Sequence, residues 1–176
     1  RHLPFHPHAS VSQVTLPNRI WWELERRLVL VYLGQTHSSS EVHTRVIERL
    51  ESSKEHRAAL EPLRQAARDG KNALYRGDFV ALGASMSANT EAQAALHPAL
   101  VSKDAQQVIA CAQEHACAGW KVNGAGGEGG SVTILCGPDS TQRRAFIDAV
   151  EALDDRYRVI PTYLSRIGIR RWEVVE

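Results

Sequence analysis

Several short stretches of this 176-residue chain have the apolar or β-branched character of β-strands. Residues 28–33 (LVLVYL) are apolar throughout and end at Gly34, a pattern typical of a strand that is buried on both faces. Shorter stretches of strand character occur at 119–123, 131–136, 157–162 and 168–174. The first 27 residues contain Pro4, Pro7 and Pro17. They predict an irregular lead-in that holds at most one short strand.

Other segments place apolar residues three or four positions apart, the period of a helix. Ser38 and Glu41 have capping-box spacing and predict a helix over 39–51. Periodic apolar positions predict further helices around 60–74, 82–96 and 103–117, and the last of these should pack on a sheet. A cap at Asp139 or Ser140 begins a final helix, which carries Phe146, Ala149, Val150 and Leu153 inward.

The order of these elements predicts the fold class. Counted from Leu28, it is one strand, several helices, two strands, one helix and two strands. This order favours an α+β fold, a ferredoxin-like antiparallel sheet covered by a helical layer and carrying a helical insertion. Residues 1–27 would be a lead-in segment and 28–176 a single domain, which is an ordinary domain length.

Composition excludes several classes of function. The chain has 21 Lys and Arg against 20 Asp and Glu, a net charge of +1, and no basic block, so a nucleic-acid partner is not expected. The longest apolar run, 28–33, is far shorter than the roughly 18 residues that span a membrane. No secretion signal is visible, and the three cysteines are too few for a disulfide framework. We expect a cytoplasmic protein with free thiols.

Since the chain begins at Arg1, we expect a processed product or part of a longer protein.

The strongest chemical signal is the glycine loop, residues 124–130, which follows Lys121 and contains five glycines in seven residues. Such a loop can point several amides into one concavity and let a phosphate approach closely. A tight turn that needs glycine for geometry alone is the equally weighted alternative. The loop is not a dinucleotide fingerprint, because a strand rather than a helix follows it. It is not a Walker loop, because Ser131 and Val132 stand where Lys and Ser or Thr are required.

A second polar segment, residues 34–41 (GQTHSSSE), joins the first strand to a helix. Amides and hydroxyls at a helix start can bind an anion or a sugar, although an ordinary cap at Ser38 explains the same residues. Histidines at positions 2, 6, 8, 37 and 43 lack the spacing of metal ligands. No metal site is therefore predicted.

Taken in order, these pieces resemble a known family. The stretch 28–42 (LVLVYLGQTHSSSEV), the helical middle and the stretch 119–127 (GWKVNGAGG) resemble the C-terminal half of GHMP-type sugar kinases. The heptose-phosphate kinases are the nearest branch, and fucokinase C-terminal regions are also similar. The resemblance runs from about Trp21 to Trp172.

The resemblance implies ATP-dependent phosphorylation of a sugar hydroxyl, with ATP and Mg²⁺ shared with an N-terminal kinase domain. It places Gly124, Ala125, Gly126, Gly127 and Gly129 near the phosphates, and Thr36, His37, Ser38 and Lys121 toward the substrate cleft. Glu128 stands where many relatives have another glycine. The family's main phosphate loop and acidic residues belong to the N-terminal half and are absent from residues 1–27, so half a cleft should not catalyse transfer alone. The alternative is a stand-alone ferredoxin-like module that binds a small ligand or regulates another protein.

Overall fold

A computed structural model describes residues 13–34, 44, 46–48, 58–124, 126–166 and 172–173. In chain order the elements are α1 (Asn18–Arg27), β1 (Leu28–Tyr32), α2 (Glu61–Arg76), α3 (Phe79–Leu96), a 3₁₀ turn (Pro98–Leu100), α4 (Lys103–Glu114), β2 (Gly119–Val122), β3 (Ser131–Leu135), α5 (Ser140–Leu153) and β4 (Arg158–Ile160).

The four strands form one antiparallel sheet in the order β2-β3-β1-β4. After β1, the chain leaves the sheet for the helices, returns to it as the β2–β3 hairpin, and is then connected through α5 to β4. This is the ferredoxin-like βαββαβ arrangement, with α2 and α3 as the helical insertion ahead of α4. The predicted fold class, an α+β antiparallel sheet with a helical layer, is confirmed.

The two faces of the sheet differ. Val29 and Val31 of β1 are buried at 1% and 0% exposure in the main core, where Val108 of α4 and Phe146 of α5 pack against them. The alternate residues of β1 are only partly buried. The prediction that β1 is buried on both faces is therefore wrong, because α4 and α5 cover one face and leave the other more open.

Helix α3 covers the outer edge of β2. At the crossing, a Cβ on Gly83 would lie 2.1 Å from the Ala118 carbonyl oxygen, so two backbones meet there and only glycine fits. Further along, the Trp120 amide donates to Ser87 Oγ at 3.3 Å and the Val122 amide to Thr90 Oγ1 at 3.2 Å. The hydroxyls of α3 thus occupy an edge that would otherwise present unpaired amides.

Several local predictions need correction. Residues 18–27 form helix α1 instead of an irregular lead-in, and Ile20 is the buried residue of this helix, at 2% exposure. Pro17 is the N-cap residue, so it stands ahead of the helix and does not interrupt it. Helix α4 ends at Glu114 and does not continue to residue 117 as predicted, because Ala116 has a φ of 50°, outside the helical region.

At the other predicted helix end, Asp139 caps α5 by accepting a hydrogen bond from the Thr141 amide at 2.7 Å. Leu153 is 49% exposed and not inward-facing. The boundary between lead-in and domain stays a prediction.

Two predicted elements lie mainly outside the described residues. Of the helix expected over 39–51, residues 44 and 46–48 are helical. Of the strand expected over 168–174, only 172 and 173 are described, and they are not in a strand.

Candidate functional site

The glycine loop joins β2 to β3 with a left-handed backbone. Its five glycines, Gly124, Gly126, Gly127, Gly129 and Gly130, all have positive φ, between 61° and 91°. Ala125 lies outside the described residues. Because side-chain-bearing residues avoid this region, the glycines are required by the path of the chain.

One half of this loop is packed against the protein. Gly126 is buried, and a Cβ there would lie 1.8 Å from the carbonyl oxygen of Leu100. The Gly127 amide donates to that same oxygen at 3.3 Å, and the Gly126 amide donates to the Asn123 carbonyl at 3.3 Å. At these two glycines the amides already have protein acceptors, so the tight-turn alternative explains them.

The other half of the loop is more open. Gly124 is exposed, and a Cβ there would meet nothing within 4 Å. The amides of Glu128 and Gly129 donate to no acceptor among the residues that the structure describes. Glu128 is itself exposed. Of the predicted phosphate-proximal glycines, Gly124 is the one whose surroundings leave room for a ligand, whereas Gly129 is buried although its amide has no described acceptor.

Lys121 lies beside this open half. Its Nζ donates to Gln93 Oε1 at 3.0 Å and to the Val122 carbonyl, and Gln93 Nε2 donates to the Gly124 carbonyl at 3.3 Å. Burial lowers the pKa of Lys121, and no described carboxylate counteracts it. An ammonium group whose protein acceptors are neutral is suited to an anionic ligand.

Polar side chains continue along the hairpin. Asn123 Nδ2 donates to Ser131 Oγ at 3.0 Å and to Thr133 Oγ1 at 2.9 Å. Lys121 is the register partner of Thr133. Since Val122 and Val132 point into the main core, alternation along the strands places Lys121, Asn123 and Thr133 on the more open face. We call this set, with Gln93 and Gly124, the polar face.

Sequence reasoning singled out Lys121 and Gly124 but missed the roles of Gln93, Asn123 and Thr133. The signal available for the strand residues was the alternation of polar and apolar positions on both sides of the glycine loop. Gln93 had no such signal, because it lies on α3, 31 residues before Gly124, and only the folded chain brings the two together.

The three residues predicted from the other polar segment, Thr36, His37 and Ser38, lie outside the described residues. The structure does show where their segment begins. The Leu33 amide donates to the Gly130 carbonyl at 3.0 Å, so the end of β1 adjoins the end of the glycine loop. The two polar segments therefore leave the sheet side by side.

Phosphate and magnesium fit this site unequally. The ammonium of Lys121 and the amide of the exposed Glu128, which has no acceptor among the described residues, fit a phosphate. Among the residues that the structure describes, no three His, Cys, Asp or Glu side chains are grouped to hold a metal ion, so these residues do not fit Mg²⁺.

Within the part of the chain that the structure describes, each helix is too short or too polar to span a bilayer.

Comparison with solved structures shows which known folds this chain resembles. No protein-family model and no curated protein matches the sequence. Solved structures do match. The L. major mevalonate kinase aligns with a TM-score of 0.66 at 20% identity, over 75% of this chain and 40% of that chain. A putative sugar kinase from Campylobacter jejuni aligns with a TM-score of 0.60 at 20% identity, over 94% and 44%.

A D-glycero-D-manno-heptose 1-phosphate kinase from Bacteriodes thetaiotaomicron aligns with a TM-score of 0.50 at 17% identity, over 86% of this chain and 37% of that chain. The chain therefore spans about two-fifths of the length of the structures that it matches. The resemblance to GHMP-type kinases is confirmed at the level of the fold, and it extends over most of the chain.

Proposed function

We propose that this chain is the C-terminal domain of an ATP-dependent sugar kinase, and that it forms one wall of the cleft that binds ATP and the sugar. The observation that carries the proposal is the polar face. It brings an ammonium group and the open half of the glycine loop together on the side of the sheet that α4 and α5 leave uncovered. The fold shared with two kinases over 75% and 94% of the chain supports it.

In the proposed cleft, the residues of this chain bind and orient phosphate. The Lys121 ammonium would pair with a phosphate oxygen, and Gln93 holds the amine toward Gly124. The amide of Glu128, an exposed residue whose N–H has no described acceptor, would donate to a further oxygen. The exposed Glu128 carboxylate repels a triphosphate, so its side chain must point away when ATP is bound.

The same residues cannot complete the reaction. Phosphoryl transfer needs a neutralising metal and an oriented hydroxyl as well as positioned phosphates. The described residues contain no cluster of three His, Cys, Asp or Glu side chains that could hold a metal ion. Mg²⁺ and the residues that activate the hydroxyl would therefore come from an N-terminal kinase domain, and this chain alone would be inactive. A cytoplasmic location is part of this proposal, because ATP is available there.

The acceptor is proposed to be a sugar or sugar phosphate of the heptose or pyranose class. Support comes from the sugar kinase that matches 94% of the chain and from the heptose 1-phosphate kinase that matches 86%. Because a mevalonate kinase has the higher TM-score, mevalonate belongs in any acceptor panel.

A second function is a stand-alone ligand-binding or regulatory module. The observation in its favour is that the buried half of the glycine loop uses its amides within the protein, as a purely structural turn would. Such a module would bind a small ligand without consuming ATP. The upstream coding sequence discriminates between the two: a Gly-Ser-Ser-rich loop there supports the kinase, and a stop codon favours the module.

The proposal is tested on the complete gene product. ATP consumption is measured with a panel of hexoses, heptoses, their phosphates and mevalonate. Lys121→Gln is compared with Lys103→Gln, a matched change at an exposed lysine that begins α4. We expect acceptor-dependent ATP consumption that falls at least tenfold in Lys121→Gln and is unchanged in Lys103→Gln. ATP consumption with no acceptor, or equal activity of the two variants, would overturn the proposal.

A further inference from the structure

Two of the three cysteines meet at the base of the β2–β3 hairpin, opposite the glycine loop. Cys117 precedes β2 and Cys136 follows β3, and their sulfur atoms lie 3.8 Å apart. The Ala118 amide donates to the Leu135 carbonyl at 2.7 Å, so the paired backbones hold the sulfurs together. Cys136 is buried at 1% exposure, whereas Cys117 is partly exposed.

A cation lies near this pair. The Cys117 thiol donates a hydrogen bond to the Cys136 sulfur, and the positive charge of Arg143 adds a smaller preference for the Cys136 thiolate. Both interactions lower the pKa of Cys136. The Nε atom of Arg143 is buried and has no hydrogen-bond partner among the residues that the structure describes. A neighbouring cation is one of the features that lower the pKa of reactive cysteines, and partial exposure, a second such feature, is supplied in this pair by Cys117.

We propose that Cys117 and Cys136 form a redox-sensitive dithiol that a small hydroperoxide converts to an intramolecular disulfide. The Cys136 thiolate attacks the O–O bond, becomes a sulfenic acid and releases an alcohol or water after protonation. The Cys117 sulfur then attacks the sulfenic sulfur, the S–O bond breaks, and the hydroxide leaves with the Cys117 proton as water. Two thiols and one hydrogen peroxide thus give one disulfide and two waters. The peroxide would reach the pair from the side of Cys117, because Cys117 is partly exposed and Cys136 is buried.

The disulfide would close the base of the hairpin that carries Lys121 and the glycine loop. A disulfide needs the sulfurs at about 2.05 Å, so they must approach by more than 1.5 Å from their 3.8 Å separation. Because Cys136 packs in the main core next to β3, this movement would also displace residues of β3. Oxidation would therefore couple to the polar face through one hairpin, whatever reaction that face supports.

Cys111 is the internal reference. It is buried in α4, its sulfur faces His115 Nδ1 at 3.8 Å, and burial raises its pKa. The Cys111→Ala variant should keep the redox behaviour of the pair. The Cys117→Ala variant should lose it, and because Cys117 is the less buried partner, this substitution is the one that preserves the core.

The test is peptide mapping of the whole chain after treatment with excess hydrogen peroxide, followed by unfolding and alkylation. We expect the Cys117–Cys136 cross-linked peptide in the wild type and in Cys111→Ala, its absence in Cys117→Ala, and recovery of all three thiols with dithiothreitol. The pair should be oxidised on the order of tenfold faster than Cys111. Three unmodified thiols, a cross-link that involves Cys111, or cross-links only between molecules would overturn the proposal.

Discussion

The close contact between α3 and β2 can be tested by substituting Gly83, and it matters for the site because α3 also carries Gln93, which contacts Lys121. Gly83→Ala places a methyl group 2.1 Å from the Ala118 carbonyl oxygen and 3.0 Å from the Gly119 amide nitrogen, and both neighbours are backbone. Neither can turn away as a side chain could. The helix and the strand must separate, which moves Gln93 relative to Lys121.

The magnitude follows from two opposing contributions. Alanine in place of glycine within a helix gains about 1 kcal/mol of helix propensity. Overpacking of this severity costs about 3 kcal/mol, the upper part of the usual range. The net loss in the free energy of unfolding is thus about 2 kcal/mol, and the melting temperature should fall by about 4–8 °C in a chain of this length.

Gly70→Ala in α2 is the matched control. There the new methyl group would meet the Ser85 side-chain oxygen at 2.9 Å, and a hydroxyl can rotate. The rotation breaks the hydrogen bond that Ser85 Oγ donates to the Leu82 carbonyl at 2.7 Å. This loss and the gain in helix propensity roughly cancel, so stability should stay within about 1 kcal/mol of the wild type. Urea unfolding followed by circular dichroism measures both variants. Equal stability of Gly83→Ala and Gly70→Ala would refute the backbone contact between α3 and β2.

Two further predictions concern the loop and the core. Gly124→Ala should cost only the strain of its left-handed backbone, about 1 kcal/mol, whereas Gly126→Ala should cost at least about 3 kcal/mol because its methyl group overlaps the Leu100 carbonyl. Tyr157→Phe should cost about 1–2 kcal/mol, since the buried hydroxyl donates to Asp104 Oδ1 at 3.0 Å. Burial and the Asp104 charge raise the pKa of Tyr157 above its ordinary value of 10.0, so wild-type stability should fall as the pH rises through about 10.

The sign of the pH effect follows from proton binding. Above pH 10 the folded state keeps the Tyr157 proton that the unfolded state loses, so raising the pH favours unfolding. Tyr157→Phe should lack that decline, which denaturation at several alkaline pH values would detect. A parallel decline in both proteins would contradict the assignment, and equal stability of the Gly124 and Gly126 variants would contradict the docking of the loop on Leu100.

Much of the architecture could be predicted because local patterns agree with the fold. The apolar run of β1, the break at Gly77 and Asp78 between α2 and α3, and the β-branched residues of β3 each have one dominant interpretation. Helix α1 was missed because three prolines dominate its flank, while the burial of Ile20 that stabilises it arises only in the folded chain. Local sequence carries no record of such long-range packing.

The site was predictable in part for the same reason. Dense glycine identifies the loop, but its division into a packed half and an open half depends on Leu100, which lies 26 residues before Gly126 in the chain. The contact of Gln93 with Lys121 likewise joins an insertion helix to the edge strand. Gln93 lies within the helix predicted over 82–96, and periodicity gives no sign that its amide would bridge an amine and the glycine loop.

Calorimetric titration of this chain alone with MgATP tests the central claim most directly. If the chain is one wall of a shared cleft, binding should be weaker than a Kd of about 1 mM, because the metal ligands and the second wall are missing. Micromolar binding that Gly124→Val abolishes while the chain stays folded would contradict the account. The glycine loop would then be a complete nucleotide site, and the chain a ligand-binding module in its own right.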